Sequence, residues 1–238
     1  MSAAERRSLL RPLAQGLAVN AAGRLLMLVK LNSGRRAQVV PAHLLPPSSA
    51  LTRAAEVRAH RRLSPALLNH SYRTFAFGAA LGALENLAFD RELLFAAALL
   101  HDVGLPTAVR QVDFTLGSAR VARDVAEDVG LSSAATETIR SAITLHHSPN
   151  VTVAAGPVAY LLSAGAAVDV VGLRSWRLPP GAARLGRGPA SAARLQARVF
   201  RRVPHRGGPR PARAREVPAQ LRGVRPCDQA RPVHGLTQ

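Results

Sequence analysis

The chain has 238 residues, of which 47% are hydrophobic, and a formal net charge of +18. A chain of this length and apolar content can bury one sizeable core, so one domain is the first expectation. Its single cysteine, Cys227, excludes an intrachain disulfide framework, and no apolar run approaches the ~20 residues of a membrane-spanning helix. There is no early segment of signal-peptide shape. The composition therefore predicts a soluble protein of the reducing cytoplasm.

The positive charge is concentrated towards the C-terminal end. Residues 1–179 hold 19 of the 32 basic and 12 of the 14 acidic residues, whereas residues 180–238 hold 13 and 2. The tail consists mainly of Arg, Ala, Pro and Gly and lacks sustained helical or strand periodicity. We therefore predict three parts, which are a helical or irregular segment at 1–48, a helical domain at 49–179 and a basic irregular tail at 180–238.

Three hypotheses account for the tail. The chain has 31 arginines but one lysine, Lys30, which indicates a GC-rich gene, and a reading-frame slip near residue 180 would give this composition without selection for binding. Translation of the other frames tests this first hypothesis. The second is a disordered basic arm that binds nucleic acid or an anionic membrane through phosphate contacts. Its one aromatic residue, Phe200, offers little base stacking. The third is a folded C-terminal domain.

Helical patterns fill the first 179 residues. We predict short helices at 4–19 and 21–31, then an irregular connection rich in Gly and Pro. Ser49 signals the start of the next helix, and Pro65 begins a long one. Further helices are predicted, in chain order, at 91–102 with Asp90 as the cap, at 115–129, at 132–146, and from Pro157 to about Gly172. Because no stretch shows sustained period-two alternation, the predicted fold is all-α, a compact helical bundle.

A few polar, metal-capable side chains interrupt the apolar faces of these helices. They are His70, His101, Asp102, His146, His147 and Asp169. Taken singly, each has an ordinary explanation, because a histidine near a helix end interacts with the last carbonyls and either acid can pair with Arg73 or Arg174. Taken together, they lie on separate helices of one bundle. Bundle cores are where helical proteins build metal sites, so these residues are predicted to converge on a metal ion.

The order of these residues resembles the HD superfamily of metal-dependent hydrolases, whose pattern is a His, then His-Asp, then a distant Asp. The segments "NHSYRTFAFG", "LLFAAALLHDVGLP", "ITLHH" and "VAYLLSAGAAVDVVG" carry the resemblance, which covers roughly residues 45–175. "HSYR", "LLHDVG" and "ITLH" are most similar to the branch that includes fungal cyanamide hydratases and related bacterial proteins. The segment "VDFTLGSA" displaces that branch's acid by one place, so no role is carried onto Asp113.

The resemblance implies a site for a divalent transition metal such as zinc, iron or manganese. The implied metal ligands are His70, His101, Asp102 and Asp169. The implied catalytic residues are Asp102, which would bind metal and orient a water, His146, which would donate a proton or hold a substrate oxygen, and Arg73, which would face an anionic group. The metal would lower the pKa of the attacking water.

The function predicted first is a metal-dependent hydrolase that acts on a small molecule or a nucleotide phosphoester. The close competitor is cyanamide hydratase-like addition of water to a small nitrile, since no Lys or Arg lies between Pro157 and Arg174 and a phosphate needs more cationic groups than Arg73. A non-catalytic alternative is a nucleic-acid-binding protein that uses the Arg-rich tail. A further alternative is a damaged copy of an enzyme. The oligomeric state stays open, and so does whether His146 or His147 faces the site.

Overall fold

The structure, a computed structural model, describes residues 3–108 and 113–179. Within these ranges the chain forms seven α-helices and five short 3-10 helices, with no strand. The prediction of an all-α helical bundle is therefore confirmed. None of the described helices is long and apolar enough to cross a membrane. The three tail hypotheses concern residues 180–238, which lie outside the described ranges.

Six of the seven helices begin within one residue of the predicted start. The α-helices, in chain order, are α1 (Ala3–Leu28), α2 (Ala50–Arg62), α3 (Pro65–Leu84), α4 (Arg91–Leu100), α5 (Phe114–Asp128), α6 (Ser133–Leu145) and α7 (Pro157–Val171). The prediction of two short N-terminal helices is wrong, because α1 continues through residue 20. The side chain of Asn20 accepts a hydrogen bond from the backbone N–H of Arg174 and does not cap a new helix.

Side-chain caps determine where two of the site's neighbouring helices begin. The hydroxyl oxygen of Ser49 accepts a hydrogen bond from the N–H of Thr52 at the start of α2. The carboxylate of Asp90 accepts from the N–H groups of Glu92 and Leu93 at 2.8 and 3.0 Å. Such caps satisfy helix-end donors and contribute about 1 kcal/mol each. The start of α4 is thus fixed one residue after Asp90.

Helix α4 runs through the middle of the core. Each residue from Leu94 to Leu100 has 0% relative exposure, as expected for a helix that is apolar on all sides. Its Phe95 ring stacks edge to face with Phe75 of α3, with ring centroids 5.0 Å apart. The residues that directly follow α4 therefore lie inside the protein.

Helices α3 and α7 approach each other closely at two glycines. A Cβ atom on Gly165 of α7 would lie 2.2 Å from the carbonyl oxygen of Thr74. A Cβ atom on Gly78 of α3 would lie 2.7 Å from the carbonyl oxygen of Leu161. Larger residues at these positions would push the two backbones apart. The close contact therefore sets the distance between the polar side chains that these helices carry.

Helix α1 is attached to the end of α7 and to the 3-10 turn Ser175–Arg177. A Cβ atom on Gly23 would overlap the indole ring of Trp176, 2.1 Å from its nearest carbon. The guanidinium of Arg24 donates to the carbonyl oxygen of Val171 at 2.5 Å. The absence of a side chain at Gly23 thus allows α1 to pack directly on the chain that follows α7.

Candidate metal centre

Three histidines and one aspartate meet where α3, α4 and α6 come together. His70 lies in α3, His101 and Asp102 directly follow α4, and His146 directly follows α6. The Nε2 atoms of His70 and His101 are 3.2 Å apart. Asp102 Oδ2 lies 3.4 Å from His101 Nε2 and 3.8 Å from His70 Nε2, while its Oδ1 lies 3.9 Å from His146 Nε2. These four residues, predicted to converge, lie together in the structure.

Backbone carbonyls determine which ring nitrogen faces this cluster. The Nδ1–H of His101 donates to the carbonyl oxygen of Ala98 at 2.7 Å, and that of His146 donates to Ile143 at 2.6 Å. A carbonyl oxygen only accepts hydrogen bonds, so the proton is on Nδ1 and a neutral ring has its lone pair on Nε2. His101 and His146 therefore both direct a lone pair into the cluster.

Burial keeps these two rings neutral. Burial, followed by repulsion from His70, lowers the pKa of His101 from 6.5 to about 3. Burial, followed by repulsion from His101, lowers the pKa of His146 from 6.5 to about 3. Loss of hydration disfavours the charged imidazolium. At neutral pH both rings are in the form that coordinates a metal.

Asp169 reaches the cluster from α7 by way of His70. Its Oδ2 accepts a hydrogen bond from the Nδ1–H of His70 at 2.7 Å. Its two oxygens also accept from Nε and Nη2 of Arg73, at 2.6 and 2.9 Å. Burial by itself would raise the pKa of Asp169, but the hydrogen bonds from His70 and Arg73 outweigh it and hold the pKa below its usual value. Asp169 is thus ionised. Because Nδ1–H of His70 donates to this carboxylate, the other ring nitrogen, Nε2, is directed at His101.

The contacts of Arg73 agree with one of the two alternatives drawn from the sequence. Its guanidinium forms a two-pronged ion pair with Asp169, a geometry that suits a planar guanidinium and a carboxylate. The other alternative was a role in facing an anionic group of the substrate. In the described structure, Arg73 contacts the carboxylate that holds His70.

The spacing of the donor atoms fits a metal ion. Ligand atoms of His70, His101 and Asp102 lie within 4.8 Å of one another, as do those of Asp102, His146 and His147. Four ligands at about 2.0–2.1 Å in a tetrahedron stand about 3.3 Å apart, which is close to the 3.2–3.8 Å separations of the first group. Among the described residues, the buried Nε2 of His146 has no hydrogen-bond partner. A buried lone pair of this kind is costly unless a proton or a cation meets it.

His146 lies inside the cluster, and its neighbour His147 lies at the exposed edge of it. His146 is 6% exposed, whereas His147 is exposed at the mouth of the site. The two ring centroids are 4.2 Å apart. His146 follows Ile139 and Ile143, both buried, by seven and three residues and so continues the inward face of α6. This spacing was a signal in the sequence that identifies the inward histidine.

The turn that follows Asp102 is held against α5. The N–H of Gly104 donates to Ser118 Oγ at 2.9 Å. A Cβ atom on Gly104 would lie 2.5 Å from the carbonyl oxygen of Phe114, so a side chain there would force the turn away from α5. Gly104 and Ser118 thus fix the chain on the C-terminal side of the site, and sequence reasoning did not identify Ser118.

Asp113 has a structural role at the start of α5. Its carboxylate accepts a hydrogen bond from the N–H of Thr115 at 2.9 Å, and this bond lowers its pKa. The side chain is exposed. Helix capping explains an acid at this place in "VDFTLGSA", and the nearby His147 and His146 lower its pKa to a smaller extent.

A cavity of about 770 Å³ opens from the histidine side of the cluster. His70, His146 and His147 line one part of it, and residues of α1, of α7 and of the segments that follow α6 and α7 line the rest. The lining outside the histidines is mainly apolar, with Leu17, Val19, Val151, Ala164, Val170 and Leu173 among its members. Its volume lies within the ~300–1,000 Å³ range of small-molecule sites. The site can therefore admit an organic ligand next to the cluster.

The family model described as HD domain matches residues 67–174. No curated protein matches the chain. The matched segment begins in α3 and ends just after α7, so it includes the whole cluster of His70, His101, Asp102 and His146 together with Asp169. The match and the cluster inside it together support placing residues 67–174 in the HD superfamily, which consists generally of metal-dependent hydrolases.

Proposed function

We propose that the protein is a metal-dependent hydrolase of a small-molecule substrate. One observation carries this proposal. His70, His101 and His146 direct three ring nitrogens towards the carboxylate of Asp102, and burial keeps the last two rings neutral. Bringing buried ligand atoms together in this way costs free energy, and a bound cation would offset that cost.

The proposed ligands of a zinc, iron or manganese ion are His70, His101, Asp102 and Asp169. When bound, such an ion polarises the substrate and lowers the pKa of the attacking water. His101 is oriented for this role by Ala98, and His70 by Asp169. A carboxylate that accepts from the far nitrogen of a metal-binding histidine fixes the ring and increases its basicity. Asp169 therefore supports the site through His70, and its proposed role as fourth ligand requires one of its oxygens to turn from His70 to the ion.

Arg73 is proposed to act as a positioning residue. Its two hydrogen bonds fix both oxygens of Asp169 and thereby the direction of the bond from His70. The catalytic role that the resemblance implies for Arg73 would require its guanidinium to exchange Asp169 for a substrate anion. The shorter of its two bonds to Asp169, 2.6 Å, favours the positioning role.

His146 is proposed to move the proton. Its Nδ1–H is held by Ile143, so Nε2 can accept a proton from the attacking water and return it to the leaving group. Burial makes the His146 ring a weak base, and the neighbouring carboxylate of Asp102, 3.9 Å away, would oppose this effect by stabilising the imidazolium that forms between these two steps. Asp102 would also orient the attacking water.

Addition of water to a small nitrile, as in the cyanamide hydratase branch, is the second candidate function. The mainly apolar lining of the cavity favours it, because an uncharged substrate needs few cationic groups. The third possibility, a nucleic-acid-binding protein that uses the Arg-rich tail, depends on residues outside the described ranges. Neither alternative changes the proposed metal ligands.

Activity assays separate the two catalytic candidates. The full-length protein would be loaded in parallel with zinc, iron(II) or manganese and assayed with bis(4-nitrophenyl) phosphate, with cyanamide and with 4-nitrophenyl butyrate, an uncharged ester. The proposal predicts turnover of one substrate, its loss in His101→Ala, and its retention in His60→Ala, which replaces an exposed histidine of α2. Turnover of cyanamide alone would favour the hydratase. Activity that survives His101→Ala would contradict both.

A further inference from the structure

We propose that the cavity between α1 and α7 binds the apolar body of an uncharged organic substrate, and that α1 sets the largest length the site accepts. The reacting group would lie at the histidine cluster, so this assignment rests on the proposed function. It names a substrate class that is neither a nucleotide nor a nitrile of a few atoms.

The size of the cavity supports a ligand larger than a simple nitrile. One continuous space of about 770 Å³ is lined by His70 and His146 and also by Gly16 and Leu17 of α1. This space is many times the roughly 10–15 Å³ that one water needs. A nitrile of a few heavy atoms would leave most of the space to water. A larger apolar ligand would displace that water from the aliphatic lining.

The lining of the cavity supports an apolar ligand. Leu17 and Val19 of α1 are 57% and 59% exposed, and Val170 and Val171 of α7 are 70% and 52% exposed. All four line the cavity. Each buried Å² of such surface contributes about 25 cal/mol, so a ligand that covers these side chains gains affinity without any polar contact.

The charges near the cavity do not form a phosphate-binding group. Arg174 is the lining's single arginine or lysine among the described residues. Its guanidinium donates to the hydroxyl of Tyr160 at 2.7 Å, and that hydroxyl donates to Glu85 at 2.8 Å. Arg73 is held by Asp169. Sites for phosphoryl groups arrange several donors and cations around them, so these contacts favour an uncharged substrate.

The wall formed by α1 is a fixed part of the fold. The side chain of Asn20, 8% exposed, accepts from the N–H of Arg174, and Arg24 donates to Val171. The segment matched by the HD domain model begins only at residue 67. The α1 wall therefore lies outside the matched segment, and its residues are suited to determine specificity.

Gly16 provides a probe of the cavity that does not disturb the fold. It lines the cavity, and a Cβ atom built on it meets no atom within 4 Å. Gly16→Phe would therefore fill space that the ligand uses, and replacing a helical glycine does not weaken the helix. Ala18→Phe is the matched control, since Ala18 is exposed on the same helix and is not part of the lining. Val170→Trp fills the cavity from α7 as a second variant.

The test is calorimetric titration of the full-length protein with a series of n-alkanols of increasing chain length. Affinity should rise about fourfold with each methylene until the chain fills the cavity, and then level off. Gly16→Phe and Val170→Trp should each shorten the limiting chain length and weaken the longest bound alkanol by at least about tenfold. Ala18→Phe should bind as the wild type does.

Two results would overturn the inference. One is a limiting chain length that neither Gly16→Phe nor Val170→Trp changes. The other is tighter binding of adenosine monophosphate than of any alkanol, measured both on the protein as purified and after metal removal by chelation. Metal removal from the wild-type protein separates this inference from the proposed function, because the metal-free protein should lose activity and keep the limiting chain length that α1 sets.

Discussion

The two ends of the cavity are built in different ways. At the histidine end, His101 and His146 are 0% and 6% exposed, and each is oriented by a backbone carbonyl. At the α1–α7 end, Leu17 and Val170 are 57% and 70% exposed. The first end has little room to adjust, while the second tolerates new side chains. As proposed, the reaction chemistry and the choice of substrate depend on different elements of one fold.

The largest effect is expected from two glycine-to-leucine changes, one at the α3–α7 contact that positions the histidine end and one on α1. Gly165→Leu should destabilise the protein by about 3 kcal/mol or more, because its Cβ would lie 2.2 Å from the carbonyl oxygen of Thr74. Gly16→Leu should leave stability unchanged or raise it by up to about 1 kcal/mol. Urea unfolding measures both. Equal effects of the two changes would contradict the difference between the ends.

A smaller effect is expected when the support of His70 is altered. Asp169→Asn should weaken metal binding by at least about 10–100-fold, since it removes the charge that holds His70 and, as proposed, a ligand. Asp128→Asn is the control, because Asp128 is exposed and its ion pair with Arg58 is long, with 3.8 Å between the charged atoms. Competition with a metal-binding dye gives the affinities. An unchanged affinity in Asp169→Asn would remove Asp169 from the site.

The buried histidines predict how the stability of the metal-free protein depends on pH. The pKa of His101 and of His146 is about 3 in the folded protein and 6.5 without burial, so the unfolded chain binds more protons between these values. As the pH is lowered below 6.5, the free energy of unfolding should then decrease by about 1.4 kcal/mol per pH unit for each histidine. His146→Gln should reduce the slope by about one proton between about pH 4.5 and about pH 6. An unchanged slope would show that His146 is protonated in the fold.

The smallest effect concerns two valines on α7. Val170→Ala should change stability by less than about 0.5 kcal/mol, because the side chain is 70% exposed. Val168→Ala should cost about 1 kcal/mol or more, because that side chain is 6% exposed. Thermal unfolding of the two variants compares them. A larger loss from Val170→Ala would show that the cavity wall supports the fold.

Much of the bundle could be predicted from sequence because its helices carry clear boundary signals. Ser49, Asp90 and Pro157 mark starts that the structure confirms to within a residue. Helix α1 was divided wrongly, since its apolar residues do not gather on one face and the boundary placed near Asn20 is a tertiary contact. The cavity wall therefore could not be inferred from periodicity.

The candidate site was predicted as a set of residues but not as a network. The adjacency of His101 and Asp102 after a buried helix was visible in the sequence. The partner of Asp169 was not visible in the sequence, because Arg73 and Arg174 were both available. The close contact of α3 with α7 decides in favour of Arg73. The explanation of helix-end histidines as partners of the last carbonyls is also correct for His101, and the same bond directs its other nitrogen to the cluster.

The most direct test of the metal site is the metal content of the purified full-length protein and of His101→Ala and Asp102→Ala. Circular dichroism would establish that all three are folded. The proposed site predicts about one or two transition-metal ions per wild-type chain and their loss in both variants. A folded wild-type protein that holds no metal, even after incubation with zinc, iron or manganese, would contradict the proposed function.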